Sequence, residues 1–310
     1  MFHLYTGFRE GEDMGIKQIG HIGMAVCLLA GCLLSCRKEF TCPQQSRVEF
    51  TFDWQQLPSA AEKGEGMALR FYASDGQVYD MESDTGSFRG SLPVGSYQVL
   101  LRNRPTPGIL FRDDGRFETA EAYLPTVSRA SGLVGQPDWF FSAALADCEI
   151  VERKATELTI VPKPMVHRIT FRVKITDERP VESVSGQLQE VVTALNLSTG
   201  KPVPQSSGET DIPIAREKET FSGSVLVFNI VKKEETNPDE PDKNLKLNVL
   251  YTNGTNREIW LDISDELSDL GDEGGSDAEV DVDITPERVG FEVRIIEWVS
   301  GAGPDISVGK

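Results

Sequence analysis

From Val48 onward the chain alternates between apolar and polar positions. Val48, Phe50, Phe52 and Trp54 fall on one side of an extended segment, and Met67, Leu69 and Phe71 repeat the pattern in Met67–Tyr72. Tyr97–Leu101 follows a turn signal at Leu92–Ser96. Leu158–Val161, Ile169–Ile175, Ser224–Phe228, Leu245–Tyr251 and Glu279–Ile284 complete the series. A period of two residues, bounded by Gly, Pro, Asn and Asp clusters, predicts half-buried strands. No helical segment alternates with these strands, so two antiparallel β-sandwiches are expected rather than a parallel βαβ architecture.

Thr106–Asp147 breaks the pattern. It is irregular and carries the aromatics Phe111, Phe117, Tyr123, Trp139, Phe140 and Phe141, too long a stretch for a structureless loop. Short elements packing those rings as core are expected there. Val161-Pro162-Lys163-Pro164 stiffens the chain and removes two backbone donors, which places a boundary between domains 36–162 and 163–298, followed by a flexible tail, 299–310. Lys232–Asn244 is acidic and nearly devoid of apolar residues, and reads as a hairpin loop or disordered excursion. Ser264–Asp283 carries nine acidic residues. Ile263, Leu267 and Leu270 keep helical spacing behind a capping Ser264, so a short helix opens this segment. Asp269–Val280 has Gly271 and Val280 where an EF-hand needs ligands, and reads as a solvated acidic loop.

The N-terminus follows a different rule. The apolar run Ile22–Leu34 is shorter than the roughly 20 residues that span a bilayer as a helix and suits the apolar region of a signal peptide. It ends in Leu33-Leu34-Ser35-Cys36, with a second match, Leu29-Ala30-Gly31-Cys32, just upstream. Both look like a lipobox, in which the cysteine thiol receives a diacylglycerol and a signal peptidase cuts before it. Cys36 is preferred over Cys32 because cleavage there strands no apolar residue at the new end. Residues 1–35 are then a signal peptide, and the acidic stretch before Met14 suggests Met14 as the true start. Acyl chains contribute about 0.8 kcal/mol per buried methylene, so such an anchor holds firmly.

Charge and composition narrow the chemistry. Loss of residues 1–35 removes Arg9, Lys17, Glu10, Glu12 and Asp13, which moves the net charge from −18 to −17. So acidic a body argues against a nucleic-acid partner, whose phosphates need Lys and Arg. His167 is the one histidine after residue 35, on a segment that reads as a strand. Zinc motifs, nucleophile elbows and phosphate-binding glycine loops are absent from the sequence, so neither an enzyme nor a cofactor is expected. Paired carboxylates could hydrolyse a glycoside without histidine, but nothing in the sequence singles out such a pair. Besides the anchor, Cys42 and Cys148 remain, and in an oxidising compartment they could pair or stay as thiols.

The order of these features resembles a known family. Cys36–Cys42 leads to Phe50–Trp54, then Glu65–Tyr72, Leu92–Val99, Ile109–Arg112 and Phe117–Ala122. Val181–Leu188, Asn196–Gly200, Leu250–Gly254, Leu261–Leu267 and Gly290–Val293 with Trp298 continue the match. Together these are similar to a Bacteroidales lipoprotein family of unknown function that belongs with the fimbrillin-like proteins, the FimB/Mfa-type anchors and minor pilus subunits. The resemblance implies two transthyretin-like sandwiches, a lipid anchor in the outer membrane, and a role in fimbrial assembly or adhesion at the cell surface or facing the periplasm. It also places the lipid cysteine just before a Cys-containing segment, as at Cys36. One departure is the neutral, Gly-rich Ser300–Lys310, where the family has an acidic, Trp-containing tail.

Two functions follow as expectations. A structural module would bind other fimbrial or surface subunits by strand addition at an open sheet edge. A glycan- or ligand-binding lipoprotein would stack sugar rings on exposed Trp54, Trp139, Trp260 or Trp298, although Trp54 and Trp260 alternate with core positions, which argues for their burial.

Overall fold

A computed structural model describes residues 44–55, 57–58, 61–128, 132–231, 244–267, 270 and 275–297. By contacts the chain divides into Met1–Gln44 and Gln45–Lys310, and the described residues fall almost wholly in the second unit. Cys32, Cys36, Cys42 and Trp298 lie outside them, as do most of the Lys232–Asn244 segment and the tail 299–310.

The chain is all-β, in two tandem sandwiches. The first opens with β1 (Gln45–Phe52), β2 (Gly66–Ala73), β3 (Val78–Ser83), β4 (Ser87–Pro93) and β5 (Gly95–Arg104). An insertion follows: β6 (Leu110–Arg112), a 3-10 turn at Phe117–Thr119, β7 (Glu121–Tyr123), β8 (Thr126–Ser128) and β9 (Leu133–Val134). Then come β10 (Phe141–Ile150), β11 (Thr156–Ile160) and β12 (Lys163–Pro164). The second sandwich contains β13 (His167–Ile175), β14 (Val181–Val192), β15 (Ala194–Asn196), β16 (Ser207–Ile212), β17 (Ala215–Glu217) and β18 (Thr220–Val227). It ends with β19 (Leu245–Tyr251), β20 (Asn256–Leu261), a one-turn helix α1 (Ser264–Leu267), β21 (Ser276–Ile284) and β22 (Val289–Glu297).

The two sandwiches repeat one topology. In the first, one sheet runs β11-β1-β4 and the other contains β10-β5-β2-β3. In the second, the corresponding orders are β21-β13-β18 and β20-β19-β14-β16. Pairing senses agree too. β1 is parallel to β11 and antiparallel to β4, and β13 is parallel to β21 and antiparallel to β18. Each repeat thus begins with a strand laid between a late strand, β11 or β21, and an earlier one, β4 or β18. Additional strands differ: β12 flanks β10, whereas β17 flanks β18 and β22 flanks β21.

Alternation explains the interior of each sandwich. Val48, Phe50 and Phe52 of β1 point inward with Met67, Leu69 and Phe71 of β2 and Val99 and Leu101 of β5. The rings of Phe50, Phe71 and Phe88 sit 5.7–5.8 Å apart. Burying each contributes about 1.5–3 kcal/mol, with a smaller increment from ring packing. In the second sandwich Ile169, Phe171 and Val173 meet Leu245, Leu247, Val249, Val280 and Val282.

The insertion ties the two repeats together. β7 pairs with β15, and Leu133 of β9 stands opposite Glu209 of β16. Backbone bonds run from Leu124 N–H to the Thr193 carbonyl and from Leu197 N–H to the Ala120 carbonyl, each 2.8 Å. Phe117, Leu124, Val134 and Phe140 join the larger apolar cluster, together with Tyr72 and Leu100 from the outer face of the first sandwich. At the neck of the insertion Gly108 has φ +75, and a Cβ there would lie 2.1 Å from the Gln136 carbonyl oxygen. Only glycine suits that approach.

Two sequence expectations change. The irregular stretch does not run to Asp147, because β10 already begins at Phe141. Its alternation is hidden by a bulge between Leu145 and Cys148: Phe141, Ala143 and Leu145 face inward before it, and Cys148 and Ile150 after it. The acidic segment after Ser264 opens with the expected turn of helix, but from Ser276 it is the buried strand β21 and no longer a loop.

Candidate functional site

The features that could meet a partner are outward aromatics, one open cleft and the free sheet edges. Trp54 is half-buried. Its indole N–H donates to the Thr85 carbonyl at 2.7 Å, and its ring meets Phe141 edge-on at 5.4 Å. Trp139 packs against the larger core. Trp260 departs from expectation. Ile259 and Leu261 stand opposite Leu247 and Leu245 and point inward, so Trp260, opposite Lys246, lies on the outer face of β20. Its N–H donates to Glu258 Oε1 at 2.7 Å, and the Lys246 ammonium sits 5.0 Å from the ring centroid. Hydrogen bonds from Lys246 and Trp260 hold the Glu258 carboxyl below the usual range. Gln187 and Asp211 continue this row across β14 and β16, joined at 3.0 Å.

The aromatics of the insertion serve mainly as core, as expected. Phe117, Phe140 and Phe141 are buried. Phe111 is partly covered by the Arg102 guanidinium, 3.7 Å from its ring centroid. An open cleft of about 580 Å³ lies beside the insertion, lined by Asp113, Arg116, Glu118, Glu121 and Asn196. Its charges are mixed.

His167 is fully buried in β13. Nδ1 accepts a long hydrogen bond from Ser276 N–H, 3.4 Å, and Nε2 has no partner among the described residues. Burial pushes its pKa down to about 4, so the imidazole is neutral and enclosed, poorly placed for proton transfer to a ligand. Cys148 is 3% exposed, and burial pushes its thiol up to about 11. Cys42, with which it could pair, lies outside the described residues, as do Cys36 and Cys32. Among the described residues no cluster of three or more His, Cys, Asp or Glu could hold a metal ion, and no helix is long and apolar enough to cross a membrane.

Among the described residues the sheet edges are β11 and β4, β12 and β3, β17 and β22, β20 and β8, and β15 and β6. Several carry exposed apolar side chains: Leu158 on β11, Phe291 on β22, Leu110 on β6, Val127 on β8 and Val78 on β3. Sequence reasoning picked out none of these edges, because alternation identifies a strand but not its neighbours.

Comparison with known proteins adds the following. A family model described as a domain of unknown function (DUF5119) matches residues 35–208. No curated protein matches significantly. Among solved structures, a candidate adhesin from Bacteroides ovatus superposes with TM-score 0.59 at 20% identity, over 74% of this chain and 86% of its own. The fimbrial anchor protein Mfa2 from Porphyromonas gingivalis superposes with TM-score 0.54 at 12% identity, over 84% of this chain and 99% of its own. A candidate polysaccharide-binding protein from Bacteroides thetaiotaomicron gives TM-score 0.54 at 9% identity, over 81% and 96%. At these identities the likeness is one of fold.

Proposed function

We propose, from the premise that the chain belongs to the DUF5119 family, that it is a lipid-anchored surface protein acting as a fimbrial anchor, tip or minor subunit. The observation that carries this reading is the fold shared with nearly the whole of the Mfa2 anchor. The interaction is strand addition: a partner subunit supplies an extended segment to a free sheet edge, main-chain hydrogen bonds give affinity, and alternate side chains give specificity. No catalytic step is assigned. The two working bodies are 36–162 and 163–298, with the short β12 at the start of the second reaching back to pair with β10 and the insertion sharing a core with the second.

The anchor is Cys36, with Cys32 as the alternative, acylated and inserted in the outer membrane. Blocking lipoprotein signal peptidase with globomycin should raise the apparent mass, and Cys36→Ala should release the chain from the membrane fraction. A membrane-bound Cys36→Ala protein would reject Cys36 as the site. Cys42 and Cys148 form the proposed disulfide, checked by mass with and without reductant.

A glycan-binding reading rests on one observation, the half-exposed Trp260 beside Lys246, Gln187 and Asp211 on an outer sheet face. Retardation in glycan-containing affinity gels that Trp260→Ala abolishes would support it, and no retardation of the wild-type chain would remove it.

A further inference from the structure

We infer that the free edge of β11 is the acceptor for the added strand, in the place that β22 occupies on β21, and that the occupant is an antiparallel extended segment donated by another protein subunit. This deepens the strand-addition reading and rests on it.

The internal repeat supplies the template. β11 and β21 are equivalent late strands, each parallel to the opening strand of its sandwich. In the second repeat a tight turn, with Thr285 N–H bonded to the Arg288 carbonyl at 2.9 Å, returns the chain as β22 along the outer side of β21. In the first repeat Val161-Pro162-Lys163-Pro164 follows β11 instead. It carries the chain to the other sheet, where Lys163 and Pro164 pair with Ser142 and Phe141. The turn that would cover β11 is therefore missing from the first sandwich.

Main-chain groups agree. The Ile160 carbonyl accepts from Asp53 N–H at 2.8 Å, so Thr156, Leu158 and Ile160 direct their N–H and C=O toward β1. By alternation Glu157 and Thr159 direct theirs outward, and neither has a main-chain partner among the described residues.

Side chains give the second line. Leu158 stands opposite Phe50 and so faces the interior side of its sheet, yet it is 37% exposed. Its counterparts on β21, Val280 and Val282, are 0% and 1% exposed beside β22. Among the described residues the first sandwich thus has an apolar margin with no strand along it.

The chemistry of the occupant follows from β22. Val289, Val293 and Ile295 pack against the core, while Arg294 on the opposite face bonds Glu279 at 2.9 Å and Asp281 at 2.7 Å. On β11 the outward carboxylate is Glu157, which has no ion pair with a described residue. The donated strand therefore alternates apolar residues inward and places a Lys or Arg near Glu157.

The probe is a fluorescent peptide with the sequence of Val289–Glu297, titrated into the full-length chain and followed by anisotropy and amide hydrogen exchange. Saturable binding that slows exchange at Glu157 and Thr159 at least tenfold is expected. Thr159→Pro removes one outward N–H at an edge position where proline is tolerated, and should raise Kd at least tenfold. Should that variant fail to fold, exchange in the wild-type chain decides alone. The inference is overturned by no binding, by equal binding to wild type and Thr159→Pro, by protection at other edges only, or by Glu157 and Thr159 amides already protected without peptide. In cells, wild type and Thr159→Pro co-fractionating equally with fimbriae would overturn the edge assignment and leave the fimbrial reading standing. Wild type absent from fimbriae while the peptide binds at β11 would do the reverse.

Discussion

Arg168 and Asp277, 109 residues apart, stand opposite each other on β13 and β21 and close a two-pronged ion pair, Nε to Oδ1 at 2.6 Å and a terminal nitrogen to Oδ2 at 2.5 Å. The same sheet face continues with Arg172 on Glu279 at 2.7 Å and with Arg294 on Glu279 and Asp281. Asp277, Glu279 and Asp281 of β21 are therefore matched by cations on the neighbouring strands, which lets a segment so rich in carboxylates run through the middle of a sheet. Asp277 is mostly covered, so Asp277→Ala leaves a guanidinium without its partner and should cost roughly 2–4 kcal/mol. The more exposed Asp281→Ala should cost less than about 1 kcal/mol. Urea denaturation of the two variants checks the order.

His167 makes stability depend on pH. Its folded pKa of about 4 lies below the ordinary 6.5 because of burial. Between those values the unfolded chain takes up a proton that the folded chain refuses, so stability falls as pH drops through that window. Relative to pH 7.5, this group should remove roughly 2 kcal/mol by pH 5. His167→Leu should lack that part of the pH dependence in otherwise identical denaturation curves.

Phe140 is fully buried between the repeats, its ring 6.1 Å from Phe111 and 6.3 Å from Phe228. It thereby joins the insertion to the second sandwich. Phe140→Ala should cost about 3–5 kcal/mol. Hydrogen exchange should quicken first at β6 and β7, whereas uniform loss across both sandwiches would show that the insertion is not a separate weak point.

Cys148 should resist alkylation in the native protein. Paired with Cys42 its sulfur offers no thiol to alkylate, and unpaired its buried thiol, pushed up to about 11, supplies little of the reacting thiolate at neutral pH. Iodoacetamide should label Cys148 only after denaturation with reductant, as read by peptide mass. Rapid native labelling would contradict the buried position.

Much of the fold was legible in period-two patterns, and the reason is physical. Strands such as β1, β2, β13 and β19 have one apolar and one wet face, so burial imprints alternation on Val48–Phe52 or Leu245–Tyr251. β10 was hidden because its bulge changes which parity faces inward. β3 was hidden because Val78–Ser83 is an edge strand with no fully buried position. Trp260 was misjudged because alternation fixes which residues share a face, and the facing of β20 was set by its pairing with β19. The repeated topology and the free β11 edge were not legible either. Both depend on pairings between segments about a hundred residues apart, such as Phe52 with Ile160, and a strand carries no local mark of which neighbour it lacks. The lipobox pattern at Cys36 is the clearest chemical signal in the sequence, and it lies outside the described residues.

The central claim is that this chain is a working part of a fimbrial or adhesive surface assembly. The most direct measurement is quantitative immunodetection of the protein in fimbriae sheared and purified from its native cells, alongside electron microscopy of a deletion strain. The expected result is co-purification of the chain with the fimbriae and altered number, length or attachment of fimbriae in the deletion strain. Absence of the chain from purified fimbriae, with unchanged piliation after deletion, would contradict the claim.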